Sequence, residues 1–414
     1  MANDNNSSDL AVLSVLGKDR PGLVSIITEK LVLNNINIVD IEAKSMRGLF
    51  AMFIIIDFSD AKLSIDKLKD IFSKVSHKND LKITLEVYEK GRRKPDKDLM
   101  LLTTLGSDRP GIVHNLSKIF KKYRVNIESI RMISRGELFA MEVLIDVSDI
   151  NVNIKEFWNK VQTACEDIGL SIVFQKENIF SKAKKLIVFD MDSTLITQEI
   201  IDEIASAVGA GDAVKKITLK AMQGEINYTE AIKQRVKLLE GVDVSILENI
   251  AKNMILTAGA EELISSLKLM GYKIAIISGG FNYFTSILKK KLGIDYVFSN
   301  KLIIKNGKLT GRLEEPIIDG EKKGELISWI ADMENISKDE IVAVGDGATD
   351  KFMLNESGLG IAFNPKKVLK KYADGVITQK NLIGLLYVLG ISDKKIKELL
   401  SNIDSKNKIK NNNK

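Results

Sequence analysis

The sequence predicts an α/β protein in two halves: two small α+β modules, then a doubly wound parallel-sheet domain interrupted by a helical insert. Three observations carry this reading. Residues 10–57 repeat at a constant offset of 89 residues as 99–146, with 19 of 48 aligned pairs identical, so the first half is a duplication of domain size. In the second half, three short apolar runs each end abruptly in acidic or Ser-Gly residues, as strands buried on both faces and tipped with ligand-binding groups would. Between the first two runs, Leu195 to Gly259 is helical in character.

Within each repeat an apolar strand (Leu10–Leu16; Leu99–Leu105) runs into Gly-x-Asp-Arg-Pro-Gly, residues 17–22 and 106–111. Proline presets φ for a helix start and glycine permits a tight bend there. Two strands follow, Ile36–Ser45 and Leu49–Asp57 in the first copy, Val125–Ser134 and Leu138–Asp146 in the second. A helix and a last strand, Leu81–Tyr88 or Leu170–Gln175, close each unit. The order βαββαβ implies an antiparallel sheet with both helices on one face. Each copy resembles an ACT domain, a ferredoxin-like module. That resemblance implies an amino-acid effector near the Asp-Arg-Pro-Gly turn, with Asn37 and Asn126 as recurring polar partners. Each module would expose one sheet face and an edge strand unless it pairs with the other copy or with a second subunit, so a homodimer built through the modules is expected. The charged stretches Glu89–Asp96 and Glu177–Lys185 read as linkers.

The second half opens on Leu-Ile-Val-Phe-Asp-Met-Asp-Ser-Thr-Leu, residues 186–195. The strand Tyr272–Ile277 ends in Ser278-Gly279-Gly280, and Ile341–Val344 ends in Gly345-Asp346-Gly347-Ala348-Thr349-Asp350, with Lys322-Lys323 lying between. Taken singly, each cluster reads equally well as a helix cap or a turn. Together, Asp190, Asp192 and Asp346 offer hard oxygen ligands of the kind Mg²⁺ prefers.

Composition narrows the chemistry. The chain has 414 residues, a net charge of +6, one cysteine and two histidines, His77 and His114. Neither histidine is near the acidic motifs in sequence, so catalysis must run on carboxylates, hydroxyls and lysines. The single Cys165 excludes an internal disulfide framework and suits a reducing cytoplasm. No apolar run reaches membrane-spanning length, and Met1–Ser8 lacks the apolar segment of a secretory signal. The lysine- and asparagine-rich end carries no interleaved aromatics, so it is read as a solvated tail and not as a nucleic-acid surface.

In their order and company, Asp190 with Asp192, Ser278, Lys323, and Asp346 with Asp350 resemble the four motifs of the haloacid dehalogenase superfamily. Over residues 184–390 the chain resembles its phosphoserine phosphatase branch. The resemblance implies a Rossmann-like core at 184–392 with a helical cap at about 197–258, ACT domains at 9–90 and 97–176, and a disordered basic tail at 393–414. It implies Asp190 as nucleophile, forming an aspartyl-phosphate, and Asp192 as general acid and base. Mg²⁺ would be held by Asp190, Asp346 and the Asp192 carbonyl. Ser278, the Gly279 amide and Lys323 would hold the phosphoryl oxygens. Lys322 competes for the lysine role, and Asp350 would orient Lys323 or the metal shell. Thr349 stands where many members carry Asn, still offering a hydroxyl to phosphate.

For the substrate, Glu199 would accept from an ammonium and Arg235 would clamp a carboxylate, with Met222 and Tyr228 as an apolar shield. Gln198, Lys233 and Lys237 are read as surface residues. By spacing alone Glu199 belongs to a solvated acidic helix face and Arg235 to a basic one. The expected activity is cytoplasmic, Mg²⁺-dependent hydrolysis of O-phospho-L-serine to L-serine and phosphate, the last step of serine biosynthesis. The rivals are a phosphatase or phosphotransferase acting on another small phosphate ester, and a catalytically inactive amino-acid sensor.

Overall fold

A computed structural model describes residues 9–88, 97–135 and 138–412. The expected linker Glu89–Asp96 and the segment Met1–Ser8 lie outside the described residues. The chain divides into two compact units, Met1–Asp96 and Lys97–Lys414.

In the first unit, β1 (Leu10–Lys18), β2 (Asn37–Met46), β3 (Leu49–Asp57) and β4 (Leu81–Val87) form an antiparallel sheet of order β2-β3-β1-β4. Helices Leu23–Leu33 and Ile65–Asn79 bury Ile27, Leu31 and Phe72 against alternate residues of the sheet, among them Leu13, Val15, Met52 and Ile54. The period-2 alternation of β1 and β3 gives one buried face. The other face exposes Leu16, Leu49 and Phe53. Gly22 starts the first helix with φ of 93°, a left-handed conformation that a side chain would strain.

The second unit opens with the other copy: β5 (Leu99–Gly106), β6 (Asn126–Arg135), β7 (Phe139–Asp146) and β8 (Ser171–Lys176). The helices Ile112–Lys122 and Ile154–Asp167 cover one face through Leu116, Phe120, Phe157 and Val161. There follow β9 (Leu186–Phe189), β10 (Lys273–Phe281), β11 (Tyr296–Lys305), β12 (Lys308–Glu314), β13 (Ile341–Gly345), β14 (Leu359–Phe363) and β15 (Gly375–Ile377). From β11 to β15 the pairing is parallel in the order β11-β10-β9-β13-β14-β15, with β12 antiparallel at one edge.

At the other edge, β15 pairs antiparallel with β8, Gly375 against Val173 and Val376 against Ile172. The second module and the catalytic core therefore share one sheet of eleven strands. The helix Gly384–Val388 also covers the module's outer face: Leu105, Ala140 and Val173 lie in one cluster with Leu385, Tyr387, Val388 and Ile396. This corrects the expectation that another module or subunit must cover that edge and face of the second copy; the catalytic domain does so itself.

A second correction concerns the tail. Residues Asp393–Asn412 are helical, and Ile396, Leu399 and Ile403 are buried. Their three- and four-residue spacing makes a narrow apolar stripe, which the high lysine and asparagine content masks. Among the described residues no helix is long and apolar enough to cross a membrane.

The insert after β9 folds as helices Ile200–Ala207, Gly211–Met222, Tyr228–Lys237 and Val244–Lys252. Its two connections pair as an antiparallel bridge, Ile196 with Leu256. Gln198 braces that bridge: its amide donates to the Asn253 carbonyl at 3.0 Å, and its oxygen accepts from the Ile255 amide at 2.8 Å. At this half-buried surface position it ties the two connections together.

Candidate active site

Phe189 of β9 lies between Ile276 of β10 and Val344 of β13 in parallel register. The residues one or two positions past these aligned ones therefore emerge side by side towards the C-terminal ends of the three strands. That register brings Asp190, Ser278 and Asp346 together, although the sequence separates them widely.

They line a cavity of about 410 Å³ between the core and the helical insert. Its walls include Asp192, Glu199, Met222, Tyr228, Arg235, Gly279, Lys323, Thr349 and Lys366. Every residue expected from sequence to touch substrate or metal is thus on one cavity, with Asp350 directly behind it.

Lys323 is the centre of the charge arrangement. It rises from the buried face of helix Gly320–Glu334 and is only 1% exposed. Its Nζ donates to Asp190 Oδ1 at 2.9 Å and to Asp350 Oδ1 at 2.6 Å. Burial alone would lower its pKa, but Asp190 and Asp350 outweigh burial and hold the ammonium charged. Lys322, its rival, points outward to Glu325 at 2.6 Å.

Asp350 is fully buried, and its other oxygen accepts from the Asp346 and Gly347 amides at 3.0 and 2.9 Å. Burial raises its pKa, opposed by Lys323 and the Gly347 amide. With both oxygens engaged, Asp350 fixes Lys323 and the loop that carries Asp346. Carboxylate oxygens of Asp190, Asp346 and Asp350 all lie within 4.8 Å of one another. Both oxygens of Asp350 are engaged, which leaves Asp190 and Asp346 as the acidic oxygen donors; with no nitrogen or sulfur donor in the set, they suit a hard divalent cation. Without one, burial followed by the charges of Asp350 and Asp190 raises the Asp346 pKa.

After Asp190 the chain turns sharply, with Asp192 extended and Ser193 left-handed at φ of 54°. Asp192 accepts from the Ile200 amide at 3.2 Å, at the start of the first cap helix. Burial, then Asp190, then Glu199 raise its pKa well above the ordinary carboxylate range. Ser278 is buried and its Oγ accepts from the Gly280 amide at 3.0 Å. A Cβ on Gly279 would stand 2.1 Å from the Tyr228 hydroxyl, and one on Gly280 would stand 2.5 Å from Asp192 Oδ2. A side chain at either position would have to push Tyr228 or Asp192 aside.

Tyr228, at the start of its cap helix, donates to the Gly279 carbonyl at 3.1 Å, and burial pushes its hydroxyl pKa up to about 12. Arg235 lies two turns further along the same helix and lines the cavity, while Lys233 and Lys237 pair outward with Glu315 and Glu240. Residues two apart on a helix face opposite sides, which separates Arg235 from its basic neighbours. Met222 sits at the rim, 71% exposed. Glu199 accepts from the Ser193 hydroxyl and from Lys366 Nζ, each at 3.0 Å.

Sequence reasoning missed Lys366 and Asn300. Asn300 is buried; it donates to the Gly279 carbonyl at 2.8 Å and accepts from the Ile318 amide at 2.8 Å, pinning the Gly279 turn. No local pattern marks it. Lys366 had a signal: it follows the apolar strand β14 through Asn364-Pro365, at the same sheet end as the other site residues.

Comparison with known proteins agrees with this geometry. A model of haloacid dehalogenase-like hydrolases matches residues 187–355, and an ACT domain model matches residues 9–86 and 98–175. The phosphoserine phosphatase of Archaeoglobus fulgidus is 44% identical over 341 residues, covering 82% of this chain and 97% of that protein. The phosphoserine phosphatase of Streptomyces coelicolor is 31% identical, covering 94% of this chain and 95% of that protein. A haloacid dehalogenase family hydrolase from Salmonella enterica serovar Typhi superposes with a TM-score of 0.62 at 27% identity, over 70% of this chain and 98% of that one. With a relative of that identity matched over nearly its whole length, and with the acidic strand ends, buried lysine and duplicated modules in place, the chain belongs to the phosphoserine phosphatase family of haloacid dehalogenase-like hydrolases.

Proposed function

We infer that this chain hydrolyses O-phospho-L-serine to L-serine and phosphate through an aspartyl-phosphate on Asp190. The observation that carries the reading is one cavity with Asp190 and Lys323 at its floor, Asp350 bonded to Lys323 behind them, and Glu199 with Arg235 on its cap side. Phosphoserine has three charged groups, and this cavity has a counterpart for each.

Lys323 holds one oxygen of Asp190, which leaves the other to attack phosphorus. The raised pKa of Asp192 keeps a proton available for the departing serine alkoxide; once deprotonated, the same carboxylate takes a proton from water for hydrolysis of the acyl phosphate. Ser278, the Gly279 amide, Lys323 and Thr349 surround the phosphoryl oxygens. Arg235 suits the substrate carboxylate as a planar fork, and Glu199 suits the ammonium. Mg²⁺ would be held by Asp190, Asp346 and the Asp192 carbonyl. Bound there, it would supply charge neutralisation at the phosphoryl oxygens.

The test is phosphate release from a panel of small phosphate esters with and without Mg²⁺. Phosphoserine should lead in kcat/KM, and chelation should abolish turnover until Mg²⁺ is restored. Preference for another ester would move the assignment within the family. Absence of all turnover would favour an amino-acid sensor.

Two further parts of the proposal concern the modules. The exposed apolar face of the first module, with Leu16, Leu49 and Phe53, supports a homodimer. A cavity of about 560 Å³ lined by Gly17, Lys18, Phe50 and Asp80 supports an amino-acid effector beside the Asp-Arg-Pro-Gly turn of that module. Cys165 is buried and free, with burial pushing its thiol pKa up to about 12. An unoxidised thiol of that kind is in keeping with a cytoplasmic enzyme.

A further inference from the structure

Lys366 stands where the substrate's own ammonium is expected. Its backbone amide donates to the Asp346 carbonyl at 2.9 Å, so the side chain leaves from a point fixed to the acidic loop. Its Nζ lies 3.0 Å from Glu199 Oε1 and 3.6 Å from Asp346 Oδ2, on the cavity wall. Glu199 is the one cap-side acid lining the cavity among the described residues, and its remaining donor is the neutral Ser193 hydroxyl. A primary ammonium on Glu199 is the same chemical group that an amino-acid phosphate would bring. Lys366 and Ser193 already share Glu199 Oε1, and a second ammonium on either oxygen of that carboxylate would stand beside Lys366 Nζ as a like charge, so the two oppose each other.

We propose that Lys366 is an internal competitor for Glu199, displaced when the substrate ammonium binds, and so a positioning residue that sets how strongly the site favours amine-bearing phosphate esters. The inference rests on the phosphoserine reading above. In the substrate-free site the pair satisfies Glu199. On binding, the two ammonium groups exchange, and Lys366 is left beside Asp346 and solvent, which its half-exposed side chain permits. The exchange discounts the worth of the substrate's amine, because one ion pair is given up for another.

The experiment compares Lys366→Met and Lys366→Arg with the wild type on phosphoserine and on its des-amino analogue, 3-phosphooxypropanoate. Removing a cation weakens phosphate attraction for both esters, so the informative quantity is the ratio of their KM values. In Lys366→Met the ratio of phosphoserine KM to analogue KM should fall about two- to fivefold, the scale of a half-exposed ion pair. Lys366→Arg, which keeps the charge, should return the ratio toward wild type. An unchanged ratio overturns the inference. A raised ratio does so too, since Lys366 would then be a strut that holds Glu199 for the ammonium. A fall that Arg does not reverse also overturns it, as lost packing would be the cause. Wild-type turnover of phosphoserine is measured first: its absence overturns the substrate reading, whereas an altered outcome in the variants alone strikes only the competitor.

Discussion

At the scale of single residues, the two adjacent lysines separate function from surface. Lys323 is buried between two carboxylates, whereas Lys322 makes an exposed pair with Glu325. Lys323→Met should lower kcat by at least about a thousandfold, because it removes a phosphoryl contact and leaves Asp190 and Asp350 facing each other. Lys322→Met should change kcat less than about twofold. Comparable losses in the two variants would refute the assignment of Lys323. Arg235→Ala should weaken phosphoserine about 10- to 150-fold relative to phosphoethanolamine, which lacks the carboxylate, the scale of a charge-assisted hydrogen bond. Equal losses on the two esters would place Arg235 on the phosphate or in the structure alone. Most of these residues are legible in the sequence, because acids and Ser-Gly at the ends of buried strands have few other uses. Asn300 is not: it acts through the carbonyl of Gly279, and a hydrogen bond to another segment's backbone leaves no local pattern. Lys366 escapes for a different reason, since lysine-rich segments elsewhere in this chain are solvated and nothing but the strand before it sets this one apart.

At the scale of elements, β9, β10 and β13 follow from their apolar runs, and the module topology follows from the repeat. The pairing of β15 with β8 does not. β15 is only three residues long, too short for periodicity to speak, and its partner belongs to a module whose first copy, among the described residues, has no such neighbour within its own unit. The junction contains a testable weakness at Asp374. Its carbonyl accepts from the Phe174 amide at 2.9 Å, and its carboxylate accepts from the Gly360 amide at 2.8 Å. Burial pushes its pKa up to about 6. A carboxyl that binds its proton more tightly folded than unfolded loses stability as pH rises from about 4 through 6, and the full penalty remains above that range. Asp374→Asn keeps an acceptor for Gly360 and removes the charge. At pH 7.5 it should stabilise the protein by about 1–2 kcal/mol, a rise of a few degrees in Tm. Near pH 4 the advantage should vanish. A variant that melts lower than wild type at pH 7.5 would mean that the charge itself is used at the junction.

At the scale of the whole molecule, the two repeats are unequal despite their shared sequence. The first is a compact unit of its own, ending at Asp96. The second belongs to the catalytic unit through the β8–β15 pairing and through buried polar contacts. Tyr387 donates to Asp393 at 2.9 Å and lies 3.4 Å from Ser134, Gln175 donates to the Val388 carbonyl at 3.1 Å, and Gln379 donates to the Leu105 carbonyl at 3.0 Å. Two truncations should therefore behave differently. A chain beginning at Lys97 keeps the eleven-stranded sheet and should retain turnover with a Tm near that of the full protein. A chain beginning at Lys184 exposes the β15 edge and the apolar faces of Leu385 and Val388, and leaves the Val388 carbonyl without its side-chain donor. Exposed edges and uncovered apolar faces favour association, so this shorter chain should melt at least about 5 °C lower or aggregate on size-exclusion chromatography. Inhibition by L-serine measured on the Lys97 chain then isolates the first module, because the catalytic unit is intact. A weaker inhibition than in the full chain would put an effector site on that module, whereas an identical inhibition constant would confine serine to the second module or the active site. If the Lys184 chain proves as stable and monomeric as the Lys97 chain, the shared sheet contributes no net stability and the second module is a dispensable appendage.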